Sequence, residues 1–103
     1  MKAARDYKAG LLEDLKDPRE AEAYLNAALE DGDSKAFLIA LRDVAEAQGN
    51  MAALAKKCRV HRTSLYKMTS KQGNPSLDSV MKFIQCIGLH LKIAKMPSRI
   101  TPR

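Results

Sequence analysis

The chain has 103 residues, of which 46% are hydrophobic and 29% charged, the size and composition of one globular domain and not of a disordered chain. No apolar run is long enough for a membrane span and nothing in residues 1–16 suits a secretory signal, so a cytoplasmic protein with reduced thiols is expected. The net charge of +6 is unevenly spread: residues 1–50 hold seven Lys+Arg against eleven Asp+Glu, a net of −4, whereas residues 51–103 hold eleven against Asp78 alone, a net of +10.

Residues 1–16 carry an apolar group at Leu11, Leu12 and Leu15 without clear start or stop signals, so a loose helix and an arm both fit. They are read as an N-terminal arm ahead of one domain over residues 17–103. The first firm helix start is Asp17-Pro18-Arg19-Glu20. Asp17 can cap, Pro18 needs no donor in the first turn, and Glu20 can complete a capping box. Ala21, Tyr24, Leu25, Ala28 and Leu29 then recur on one face, and Gly32 stops the helix where a left-handed residue costs little. Asp33 or Ser34 caps a second helix, with Phe37, Leu38, Leu41, Val44 and Ala45 inward and Lys35, Arg42, Asp43 and Glu46 outward; Gly49 closes it.

Asn50 opens a helix that runs through Cys58, and after a tight turn another spans about residues 62–69. Residues 70–75 form a loop by composition. Ser76 caps a last helix with Leu77, Val80, Met81, Ile84 and Ile87 as its buried stripe, ended by Gly88. Beyond it the period changes: Leu89, Leu91 and Ile93 alternate with His90, Lys92 and Ala94, the spacing of a half-buried strand. A lone strand leaves its ladder groups unpaired. Residues 89–95 are therefore expected to join two copies as an antiparallel ribbon, making a homodimer.

The segment of most consequence is residues 51–69, MAALAKKCRVHRTSLYKMT. Leu54, Ala55, Cys58, Val60, Leu65 and Met68 make a packing side for two short helices, so residues 50–70 read as a helix-turn-helix core. The second helix protrudes with a polar, basic face of the size that enters a DNA major groove. Leu65 and Met68 inward turn Arg62, Thr63, Tyr66 and Lys67 outward. Arg62 can reach guanine O6 and N7, and Thr63 a thymine methyl or a phosphate. Of Tyr66 and Lys67, one reads a base while the other grips the backbone. His61 caps this helix or meets phosphate. Lys71, with the amide-bearing helix start at Asn50 and Met51, anchors phosphates. A half of net charge +10 suits such a polyanion, because neutralised phosphates release condensed counterions.

Cys58-x2-His61 and Cys86-x3-His90 superficially match zinc spacing. Cys58 fills an apolar slot of the helix pair, however, and no metal or other cofactor is expected. No acidic pair, serine–histidine arrangement or phosphate-cradling glycine loop is present, so no enzyme is expected.

Several stretches together resemble the addiction-module antidote (antitoxin) family. They are Leu15-Lys16-Asp17-Pro18, Ala23-Tyr24-Leu25, Ala28-Leu29-Glu30-Asp31-Gly32-Asp33, Leu54-Ala55, Ser64-Leu65-Tyr66-Lys67, Gly73-Asn74-Pro75 and Ile87-Gly88-Leu89-His90-Leu91. The resemblance implies a lambda-repressor-like, all-α fold: a five-helix helix-turn-helix domain with an extra N-terminal helix and a short C-terminal β-strand. It also implies an antitoxin that represses its own promoter as a dimer and neutralises a small RelE-like, RNA-cleaving toxin. The matching DNA contacts are Arg62, Thr63, Tyr66 and Lys67. One position departs from the pattern: Arg59 stands in the turn where glycine is usual, so a strained backbone is expected there. The acidic half suits a basic toxin. A stand-alone transcriptional regulator without a toxin and a pure protein-interaction module are the competing readings.

Overall fold

The computed structural model describes residues 4–96, with side chains from residue 7 onward. Among them it is all-helical, with α1 (Ala4–Asp14), α2 (Pro18–Asp31), α3 (Ser34–Ala47), α4 (Met51–Lys57), α5 (Arg62–Met68) and α6 (Leu77–Cys86). Short polar side chains set the boundaries by accepting from amides that have no helical partner. Asp17 accepts from Arg19 N at 3.0 Å and Asp33 from Lys35 N and Ala36 N. Asn50 accepts from Ala52 N and Ala53 N, and Ser76 from Ser79 N. Gly32, at φ 77°, ends α2 in the left-handed conformation that only glycine adopts cheaply.

α3 is the hub. Leu41, Val44 and Ala45 are fully enclosed, with α1, α2 and α4 packed around them. Leu15, Ala21 and Leu25 close one side of this core; Leu65, Phe83, Ile84 and Ile87 close the other. Residues 4–14, left open by the sequence, are helical, and Leu11 and Leu12 pack partly against the core.

The hydrophobic stripes differ from expectation at their edges. Leu29 of α2 and Leu77 and Met81 of α6 are exposed, while Phe83 is buried at 4% exposure. In α6 the core-facing arc is Val80, Phe83, Ile84 and Ile87, rotated towards the helix C-terminus because Ile87 and Leu89 follow it into the core. Met51 is core as well, and Val60 is exposed, since its backbone and not its side chain closes the turn after α4.

Asp43 is not outward. It is 7% exposed, accepts from Tyr24 Oη at 2.7 Å and pairs with Lys8 Nζ at 3.2 Å, which also reaches Glu46. Burial, then the bond to Asp43, pushes the Tyr24 hydroxyl above its ordinary range. Burial alone would lower Lys8, but its bonds to Glu46 and Asp43 outweigh that and hold it above its ordinary value. The network joins α1, α2 and α3 through one carboxylate.

One expectation fails outright. Cys58 and Cys86 are not free thiols: they are joined in a disulfide, Cα–Cα 5.8 Å. Packing brings the end of α4 beside the end of α6, a proximity that 28 residues of separation conceal. Residues 89–95 form no ladder within the single copy. Residues 89–96 run without helical turn or bend, and a ladder needs a second strand that one copy does not supply. Among the described residues no helix is long and apolar enough to cross a membrane.

Candidate nucleic-acid interface

α4 ends in a tight reversal. Arg59 N donates to Lys56 O at 3.1 Å and Val60 N to Ala55 O at 3.0 Å, the paired bonds of a Schellman motif. Arg59 takes φ 61°, a left-handed conformation that side chains with a Cβ adopt only at a cost. The reversal launches α5 from His61, whose carbonyl accepts from Leu65 N. The His61 imidazole makes no capping bond, contrary to one of its two expected roles.

α5 is anchored along one side only. Leu65 is 1% exposed and Thr69, just past its end, is fully buried. Arg62, Thr63, Tyr66 and Lys67 all lie on the exposed side, with His61 before them and Lys71 after. Asn50 and Met51, expected to act through their backbone amides, open α4, and Asn50 is exposed there. The Asn50 carboxamide is engaged in capping α4, and the Met51 side chain is in the core.

What holds α5 in place was not legible beforehand. Arg42 of α3 donates through Nε to Thr69 Oγ1 at 3.2 Å and through Nη2 to the Tyr66 carbonyl, and its guanidinium lies 5.0 Å from the centre of the Tyr66 ring. Thr69 Oγ1 in turn donates to Leu65 O at 2.9 Å. One cation therefore satisfies two acceptors at the C-terminal end of α5 and steadies an exposed aromatic there. Lys35 plays a parallel part on the following loop, donating to Gly73 O at 2.6 Å. Gly73 has to be glycine: a Cβ would fall 2.6 Å from the carbonyl oxygens of Lys67 and Met68. The only advance signals were a hydroxyl at a helix end and a glycine in a loop, neither of which names its partner.

Residues 8–95 match the family model described as "Probable addiction module antidote protein". The chain belongs to the addiction-module antidote family. It is also 35% identical over 81 residues to an uncharacterized protein of Haemophilus influenzae, an alignment covering 79% of this chain and 82% of that one. No solved structure matches it. Membership carries an antitoxin role, and an antidote implies a toxin to be neutralised.

The antidote separates its charges in space as well as in sequence. Lys56, Lys57, Arg59, His61, Arg62, Lys67 and Lys71 are all exposed around α5 and the turn before it. Asp78, the one carboxylate of the second half, pairs with Lys82 at 3.2 Å and so offsets little of that field. Glu13, Glu20, Glu22, Glu30 and Asp31 are exposed on α1 and α2. Chemically, the first surface can take phosphates and base edges, and the second can take a cationic protein. Cys58 and Cys86 bind each other, and among the described residues no cluster of three His, Cys, Asp or Glu is placed to hold a metal.

Proposed function

We propose that this antitoxin is a sequence-specific DNA-binding protein that represses its own promoter and neutralises a RelE-like, RNA-cleaving toxin. The observation that carries the reading is the one-sided anchoring of α5: Leu65 and Thr69 buried, Arg62, Thr63, Tyr66 and Lys67 in solvent. In this reading α4 and α5 form a lambda-repressor-like helix-turn-helix. Arg62 reads a guanine edge, Thr63 and Tyr66 contact bases or phosphate beside it, and Lys67, Lys71 and His61 hold the backbone. The acidic surface of α1 and α2 meets the toxin, where opposite charge speeds encounter. The protein works in the cytoplasm, without enzymatic activity, as a homodimer joined through residues 89–95; two copies would match a two-fold operator.

A labelled duplex from the protein's own promoter provides the test. Arg62→Ala is expected to cost about 1–3 kcal/mol on the specific site and to relax selectivity at one base pair, whereas Lys71→Ala weakens all sequences about equally. If neither change alters binding, α5 is not the reading element. Reversing the charge of Glu13, Glu20, Glu22, Glu30 and Asp31 should slow association with a basic toxin encoded beside the gene; an unchanged on-rate removes the acidic surface from the reading.

A further inference from the structure

Residues 88–92 form one wall of a groove of about 300 Å³, whose other wall is α2 and whose floor includes Phe37 and Ile84. Its apolar lining is Leu25, Leu29, Phe37, Ile84, Leu89 and Leu91, and Leu29 is 43% exposed. Just beyond the groove the same segment presents Ile93 at 96% exposure, with Leu91 at 38%. An isolated chain therefore holds both an unfilled apolar groove and an unburied apolar side chain on one straight stretch of backbone.

We infer that the groove of each copy is filled by Ile93 of a second copy. The inference rests on the homodimer reading above and specifies its register. In an antiparallel two-fold ribbon, side chains on one face pair only with their like, so an odd-numbered residue must face an odd-numbered residue. Centring the two-fold on Leu91 sets Leu91 against Leu91, and Leu89 against Ile93 in both directions, so every apolar residue of the run gains an apolar partner. Centring it on His90 sets Ile93 against Ile87, which is already buried. Centring it on Lys92 sets Leu89 against Lys95. Only the first register places Ile93 of one copy over Leu89 of the other, and Leu89 is the residue that lines the groove and packs partly on the core.

The groove rim holds Glu22 along with His90 and Lys92 of the same copy, so the apolar match and not charge selects the occupant. A second copy supplies the extended edge and the apolar side chain together.

The test combines solution mass with cysteine cross-linking of the full chain. Wild type is expected at twice 11.4 kDa by light scattering. Leu91→Cys should form an intermolecular disulfide to itself, since facing Cα atoms in a ladder lie about 4.5–5.5 Å apart, within disulfide reach. Ile93→Cys should not, because in this register the two copies of residue 93 are roughly 13 Å apart along the ribbon. Peptide mass mapping separates this cross-link from exchange with Cys58 or Cys86. Ile93→Asp should weaken the dimer roughly a hundredfold while Ile93→Leu retains it. Ile93 is exposed in the single copy, so the helical circular-dichroism signal should stay unchanged in both variants. A wild-type monomer overturns the homodimer reading and this inference together. A dimer that survives Ile93→Asp and fails to cross-link through Leu91→Cys overturns the inference alone.

Discussion

Arg42 shows how one side chain can serve a surface it does not belong to. From α3 it reaches the Tyr66 carbonyl, the Thr69 hydroxyl just past α5 and the face of the Tyr66 ring, so the exposed helix takes its orientation from the core helix beneath it. Met substitutes for its length and not for its donors. Arg42→Met is expected to cost about 1–2 kcal/mol in thermal melts, and to speed amide exchange at residues 65–70 more than in α1 or α2. Uniform exchange across the chain would show that the guanidinium adds general stability and no local restraint. Arg59 makes the opposite case, a residue that opposes its own backbone. At φ 61°, glycine would sit without strain. Arg59→Gly should therefore raise stability by about 1 kcal/mol, or roughly 4–8 °C in Tm for a chain of this size. A lower Tm would mean that the arginine side chain makes contacts outweighing the strain. The strain was foreseen through the family resemblance, whose usual glycine this turn lacks. The role of Arg42 was not, because a helical arginine reads as solvated until the neighbouring helix is placed.

At the scale of elements, caps and periodicity were legible almost throughout. Asp17, Asp33, Asn50 and Ser76 each cap the helix they announce. What sequence missed were the links between elements, which depend on how helices meet. The Tyr24–Asp43–Lys8 network is one such link. Tyr24 holds its proton more tightly when folded, so its contribution is fully present below the ordinary tyrosine value of 10.0 and is lost as pH rises beyond it. Tyr24→Phe should cost about 1–2 kcal/mol at neutral pH, and the difference from wild type should shrink above pH 10 as measured by denaturant unfolding. A constant difference across that range would remove the hydroxyl from the account. The disulfide is the second link, and the loop it closes contains all of α5. Chain entropy gives a closure of this size about 3–4 kcal/mol. Dithiothreitol should accordingly lower Tm and deprotect residues 62–70 in amide exchange. Identical exchange before and after reduction would mean that packing alone fixes α5.

Over the whole molecule, the decisive feature is the division between a first half of net −4 and a second half of net +10, and among the described residues the acidic and basic side chains are exposed largely on different helices. That division was fully legible, since a charge count needs no coordinates. The core was legible less evenly: the apolar stripe of α3 was read correctly but Asp43 was placed outward, and the arcs of α2 and α6 were misjudged at Leu29, Leu77, Met81 and Phe83, where a partner helix decides which edge of a stripe is covered. The central claim is that α5 and its flanks, and no other surface, receive DNA. Backbone and side-chain NMR shifts recorded while adding a promoter duplex test it directly. The expected result is perturbation confined to residues 61–71 and the adjoining turn, weakening as salt is raised. Shifts centred on α1 and α2, or none at low salt, would contradict it.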